Sequence, residues 1–95
     1  MNISITSNVV TITGNIKSVS DYQLIKEKLD SLTQSHKSII LEIKDSISIT
    51  SSIIGYFTKL VQKEGIDLSI RVGDKSLMEL FEDLNLMGLF KVKKG

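Results

Sequence analysis

The segment Ser38–Ile43 has the sequence Ser-Ile-Ile-Leu-Glu-Ile and gives the first indication of the fold. A short, nearly continuous apolar run of this kind is typical of a strand that is covered on both faces. A linking stretch rich in Ser, Thr and Ile, Ser46–Ser52, follows it, and a helical apolar pattern begins at about Ser51 and ends near Gly65. The apolar positions of this predicted helix are Ile53, Ile54, Phe57, Leu60 and Val61. Because Leu68–Val72 is a further apolar run, the sequence predicts a strand–helix–strand unit.

The residues before this unit predict a hairpin and a first helix. Met1–Thr13 has the pattern of two short strands around a turn at Ser7-Asn8, closed by Gly14-Asn15. Apolar residues alternate in both strands, which predicts one buried face: Ile3, Ile5, Val10 and Ile12. Ser20 and Gln23 form a capping-box pattern, and Val19 with Leu24 has the spacing of a hydrophobic staple. The predicted helix buries Tyr22, Ile25, Leu29 and Leu32 and ends near Thr33–His36.

The residues after Leu68–Val72 predict a third helix and a last strand. Asp74 is the first candidate for the helix cap, and Ser76 with Glu79 forms a competing capping box. Asn85–Gly88 has a turn composition, and Leu89–Val92 is the predicted terminal strand. The apolar residues of the helix are Leu77, Met78, Leu80, Phe81 and Leu84.

The predicted order of elements defines an α/β domain. Strands and helices alternate after the hairpin, which implies right-handed crossovers and a partly parallel sheet. At 95 residues, the chain 1–95 is expected to be one domain. We expect a mixed four- or five-stranded sheet with three to four helices packed mainly on one face.

Charge and composition exclude several classes of function. Twelve Lys and Arg against eleven Asp and Glu give a net charge of +1, which offers no electrostatic case for binding nucleic acid or an anionic membrane. There is no cysteine, which excludes disulfides, thiolate nucleophiles and sulfur-ligated metals. No apolar run approaches the ~20 residues of a membrane helix, and the first residues alternate instead of forming a signal-peptide core. We expect a cytoplasmic protein without membrane insertion.

The sequence shows no catalytic constellation. His36 is the one histidine, at a helix-to-strand junction, and a solvated loop residue is the expected role. No glycine-rich phosphate loop is present. We therefore expect neither an enzyme nor a cofactor or metal site.

Acidic residues are predicted to be scattered over helix surfaces, at Glu27, Asp30, Glu79, Glu82 and Asp83. The basic tail is expected to protect a sheet edge or to contact an acidic partner, through Lys91, Lys93 and Lys94.

Three hydroxyl residues, Thr50-Ser51-Ser52, lie where the linking stretch enters the second helix. Ser and Thr are ordinary N-caps, so capping alone explains them. The alternative is that one hydroxyl receives a phosphate, because free N–H groups and the helix dipole stabilise an anion at this position.

The segment from Ile39 to Asp45, followed by Ile49–Gly55, resembles the central signature of STAS domains, which include the bacterial anti-sigma-factor antagonists. The similarity extends over nearly the whole chain, through the Gly14 turn, Val72-Gly73-Asp74 and Leu86–Phe90. The resemblance implies partner switching: an unphosphorylated antagonist binds a serine kinase that is also the anti-sigma factor, and phosphorylation of one serine breaks the complex. By position, that serine is Ser51.

The chain departs from this signature at three positions. The acidic residue that usually precedes the phosphoserine is Thr50, the first glycine after the serine pair is Ile53, and an early acidic position is Lys17. Thr50 and Ser52 are therefore alternative acceptors.

The expected function is a regulatory protein-binding domain that is a monomer or a weak dimer. Its predicted contact surface contains Thr50, Ser51, Ser52, Ile53 and Gly55. The alternative is a STAS subunit of a larger assembly, such as a lipid-transport ATPase complex or a stress-signalling scaffold, in which phosphorylation has no role.

Overall fold

The five strands of the sheet follow one another in chain order. The computed structural model describes residues 1–95, and the strands are β1 (Asn2–Thr6), β2 (Val9–Thr13), β3 (Ser38–Ile43), β4 (Asp67–Val72) and β5 (Lys93–Lys94). β1 is antiparallel to β2, and all other neighbours are parallel. The helices are α1 (Val19–Leu32), α2 (Ser51–Gln62) and α3 (Lys75–Asp83). The predicted mixed α/β fold is confirmed, with five strands and three helices.

One face of the sheet forms a single apolar core with the helices. Ile39, Leu41 and Ile43 of β3 are buried together with the inward residues of α1, α2 and α3. The prediction that β3 is covered on both faces is wrong, because its other face carries the half-buried Ile40 and Glu42. The Glu42 carboxylate accepts a hydrogen bond from the Thr11 hydroxyl at 3.2 Å, so this second face is polar.

The N-terminal hairpin forms as predicted, and Ser7 enters the turn with a φ of 56°. Val10 and Ile12 are buried, whereas Ile3 is half-buried and Ile5 is 39% exposed. The alternating apolar residues of β1 are therefore only partly buried. The reason is that β1 is an edge strand with a neighbour on one side only.

The start of α1 differs from the prediction. Ser18, not Ser20, is the N-cap, and its hydroxyl accepts the N–H of Asp21 at 3.1 Å. The Asp21 carboxylate accepts the N–H of Ser18 in return, which completes a capping box with an aspartate at its second position. The predicted staple is also wrong, because Val19 is 72% exposed. Ile16 is buried in the core instead, and α1 begins two residues earlier than predicted.

The caps of the other two helices agree with the sequence. Thr50 precedes α2, and Asp74 caps α3 by accepting the N–H groups of Ser76 and Leu77. Ser76 therefore lies inside α3, which decides between the two candidate caps for that helix.

The predicted terminal strand, Leu89–Val92, is wrong. The observed strand is Lys93–Lys94, and residues 85–91 form turns in which Asn85 and Lys91 have positive φ. Phe90 is fully buried, and its ring meets those of Phe57 and Phe81 edge-to-face, with centroids 6.0 Å apart in each pair. The apolar residues of this segment therefore fill the core and do not continue a ladder.

The basic tail lies at the sheet edge. Lys93 and Lys94 are the edge strand itself, while the Lys91 ammonium pairs with the Asp67 carboxylate at 2.6 Å. None of the helices has the length and apolar character needed to cross a membrane.

Candidate functional site

Two loops at one end of the sheet bring the beginnings of α1 and α2 together. Both loops leave the carboxyl ends of neighbouring parallel strands, β2 and β3. They are joined by three hydrogen bonds: Gly14 N–H to the Asp45 carboxylate (2.7 Å), Ile16 N–H to the Ser46 hydroxyl (3.0 Å) and Ile47 N–H to the Asn15 side-chain oxygen (3.1 Å). These three hydrogen bonds between the loops hold the N-termini of α1 and α2 next to each other.

The three hydroxyl residues occupy different positions at the start of α2. Thr50 is the half-buried N-cap, and its hydroxyl accepts the N–H of Ile53 at 3.3 Å. Ser51 and Ser52 are the first two residues of the helix, and both are exposed. Their backbone N–H groups have no acceptor within the protein. Donors of this kind at a helix start favour an anion.

A shallow groove of about 290 Å³ runs between the two helix starts. Its lining comes from α1 and the residues before it, and from α2: Lys17, Ser18, Val19, Tyr22, Thr50 and Ser52. Ser51 is not part of this lining and lies outside the groove. Lys17 is the one positively charged side chain that lines the groove, so its charge adds to that of the positive end of the α2 dipole.

Two exposed apolar side chains flank this region. Val19 is 72% exposed at the start of α1, and Ile47 is 57% exposed in the loop before α2. They are the most exposed of the large apolar residues in the chain. Neither exposure was predicted from the sequence, because Val19 was assigned to a staple and Ile47 was given no role within the linking stretch Ser46–Ser52. Exposed apolar groups next to polar ones are typical of a protein contact surface.

Tyr56 joins α1 to α2 below the groove. Its hydroxyl donates to the Asp30 carboxylate, which also accepts a hydrogen bond from Lys26 at 2.8 Å. Burial and the hydrogen bond to Asp30 raise the pKa of Tyr56. Partial burial acts to raise the pKa of Asp30, but the bonds from Lys26 and Tyr56 outweigh it and lower that pKa. Asp30 therefore links α1 to α2 through Tyr56, while its side chain stays 43% exposed on the surface of α1, as the sequence suggested.

Three other residues singled out from the sequence have clear positions in the structure. Ile53 is 0% exposed, which removes it from the predicted contact surface, because its side chain points into the core. Gly55 is exposed, and it lies one turn after Ser51, on the same side of α2. His36 is half-buried in the connection from α1 to β3, at the opposite end of the sheet from the groove.

We expect Thr50→Ala to lower the free energy of unfolding by about 1 kcal/mol, because the Ile53 N–H loses its acceptor. Ser51→Ala is the matched control and should change it by less than about 0.5 kcal/mol, since an exposed hydroxyl without a partner is removed. Urea unfolding of both variants measures the difference. Equal effects of the two substitutions would contradict the assignment of the cap.

The architecture has a counterpart among solved structures. The NMR structure of the protein TM1081 superposes on this chain with a TM-score of 0.68 at 17% sequence identity, covering 97% of this chain and 78% of that one. At this identity the similarity shows a shared fold of a small mixed α/β domain and nothing about its role. No protein-family model matches the sequence, and the search of curated proteins gave no match.

Proposed function

We propose that this chain is a STAS-like regulatory protein that binds another protein through the starts of α1 and α2 and releases it when Ser51 is phosphorylated. The observation that carries the proposal is the position of Ser51 and Ser52. They are exposed in the first turn of α2, with free backbone donors. The exposed Val19 lines the groove together with Ser52, and the exposed Ile47 lies four residues before Ser51 in the chain. A kinase can reach such a serine, and a partner can cover it.

The chemistry of release follows from charge. A phosphate on Ser51 adds about −1.5 to −2 charges at neutral pH. The free N–H groups at the start of α2 accommodate that charge while the protein is alone. A partner that packs over Val19 and Ile47 has to desolvate the phosphate, and it is repelled if its own surface is acidic. The modification therefore acts on the complex and leaves the fold intact.

The three hydroxyls differ in their suitability as acceptors. The Thr50 oxygen is engaged as the cap, and the residue is half-buried. Ser52 lines the groove beside Lys17, whereas Ser51 lies outside it. Ser51 is thus the more open position as well as the one that the STAS resemblance implies, and Ser52 is the main alternative.

The proposed partner is a serine kinase that also acts as an anti-sigma factor, in the cytoplasm. Such a partner needs an apolar contact that excludes water and a polar contact that senses the phosphate. Val19 with Ile47 supplies the first, and the first turn of α2 supplies the second.

The test begins with protein isolated from its native host, in which phosphate on residues 50–52 is mapped by mass spectrometry. The partner that copurifies with Ser51→Ala is then identified, purified and titrated against Ser51→Asp. We expect Ser51→Asp to weaken this binding about tenfold or more. Its melting temperature should stay within about 4 °C of the wild type, since the helix dipole tolerates the charge.

Ser76→Asp is the matched control, because Ser76 is also an exposed serine in the first turn of a helix, α3. It adds the same charge away from the groove and should leave binding unchanged. An unphosphorylated native protein whose partner binds Ser51→Asp and wild type equally would contradict the switch. That result would favour a fixed STAS subunit of a larger assembly, as in a lipid-transport ATPase complex or a stress-signalling scaffold.

A further inference from the structure

The two edges of the sheet are protected very differently. The β5 edge is two residues long, and both are lysines. Short length and lysine charge are the ordinary means by which an edge strand avoids pairing with other chains. The β1 edge, Asn2–Thr6, is five residues long and contains no charge and no proline. All of its residues except Ile3 are exposed, so nothing within the chain covers it.

The backbone groups that β1 presents at its free edge can be derived from the ladder. Ile40 N–H donates to the Asn8 carbonyl at 3.0 Å, and Lys44 N–H donates to the Ile12 carbonyl at 3.1 Å. The even-numbered residues of β2 therefore bond to β3, and the odd-numbered ones bond to β1.

The register then assigns the residues of β1. Ser4 is opposite Thr11 and Thr6 is opposite Val9, so these two direct their backbone groups to β2. Ile3 and Ile5 direct their N–H and C=O groups away from the sheet. Their side chains lie on the core face, opposite the buried Ile12 and Val10.

We propose that the β1 edge pairs with β1 of a second copy of this chain, antiparallel and about a two-fold axis at Ser4. In this register Ile3 of each copy is opposite Ile5 of the other. These are the residues whose backbone groups point outward, so the two pairs exchange four hydrogen bonds. The five-stranded sheets then join into one sheet of ten strands.

The side chains of β1 suit this occupant because their pattern is palindromic. In Asn-Ile-Ser-Ile-Thr, reversal of the strand places apolar on apolar and polar on polar. Ile5, which is 39% exposed, gains Ile3 of the second copy as an apolar neighbour on the core face. On the other face, Ser4 meets Ser4 and Asn2 meets Thr6, without charge repulsion. A second copy therefore satisfies both faces of the same strand.

The pairing is independent of the proposed partner switch. No residue of β1 lines the groove between α1 and α2, so each copy keeps its own contact surface. An edge-strand contact is small, and we expect reversible association in the micromolar to submillimolar range.

Sedimentation velocity of the full chain over that concentration range tests the pairing. Ser4→Lys places two like charges opposite each other at the two-fold axis and should lower the association constant roughly fivefold at low salt. The effect should shrink at high salt because the charges are screened. A mixture of Ser4→Lys and Ser4→Asp should associate at least as strongly as the wild type, since each pair is then of opposite charge.

Ser38→Lys is the matched control, because Ser38 is an exposed serine on the same sheet face but in β3. It should leave association unchanged. A wild type that stays monomeric at submillimolar concentration would overturn the proposal. So would an equal loss in Ser38→Lys, or a Lys and Asp mixture that associates no better than Ser4→Lys alone.

Discussion

Leu41→Ala is expected to lower the free energy of unfolding by about 2–5 kcal/mol, as is usual for a leucine removed from a well-packed core. Leu41 is fully buried in β3, the middle strand of the five. It is opposite Val10 on one side and Ile70 on the other, and both are buried. A domain of this size has roughly 5–14 kcal/mol of stability in total, so the loss is a large share of it.

Ile40→Ala is the control for this substitution. Ile40 is the next residue of the same strand, but it is half-buried on the polar face of the sheet. Its truncation removes less apolar burial and should cost about 1 kcal/mol. The two variants are compared by urea unfolding, with one value of the slope of unfolding free energy against urea concentration used for both. A Leu41→Ala variant as stable as Ile40→Ala would contradict the central position of Leu41.

The predictable part of the fold is the part decided by local pattern. The bounds of β3 and the start of α2 follow from an apolar run and a hydroxyl cap, and the structure has both. The cap of α1 does not follow in this way, because two serines compete and the buried Ile16 decides between them. The last strand fails for a similar reason. Phe90 is apolar because it fills the core between α2 and α3, not because it extends a strand.

The candidate site also has features that follow from local sequence and features that depend on distant contacts. Thr50, Ser51 and Ser52 were expected at a helix start, and they lie there. The pairing of the two loops depends on contacts between residues about thirty positions apart, such as Ser46 with Ile16, which leave no local pattern. The exposure of Val19 depends on how α1 is rotated against the sheet, which is set by packing and could not be predicted from the sequence around it. The burial of Ile53, in contrast, follows from its helical spacing with Phe57 and Leu60, and it was the assignment of Ile53 to the contact surface that was wrong.

Gly73→Ala is expected to destabilise the domain by about 1–3 kcal/mol, because no space exists for a side chain at this position. Gly73 follows β4, and its N–H donates to the Ile43 carbonyl at 2.9 Å. A Cβ atom at Gly73 would overlap the backbone carbonyl oxygen of Lys44. That oxygen belongs to the main chain and cannot swing aside, so the carboxyl ends of β3 and β4 have to separate.

Gly55→Ala is the control with the opposite expected sign. A Cβ atom at Gly55 meets nothing within 4 Å, and the residue is exposed in the middle of α2. Alanine should stabilise the helix by about 0.5–1 kcal/mol, measured by the same urea unfolding. A destabilised Gly55→Ala together with a neutral Gly73→Ala would contradict this account of the two glycines.

The same variant separates stability from binding. Because Gly55 lies one turn after Ser51 on the same side of α2, the added methyl group projects into the proposed contact surface. Gly55→Ala should therefore raise the free energy of unfolding and yet weaken binding of the partner that copurifies with Ser51→Ala. Titration of the two purified proteins measures this binding. A fold defect cannot produce that combination, because it lowers both quantities. If Gly55→Ala binds as tightly as the wild type, the contact surface does not extend to the second turn of α2 and is confined to Ser51, Ser52 and the loops that flank them.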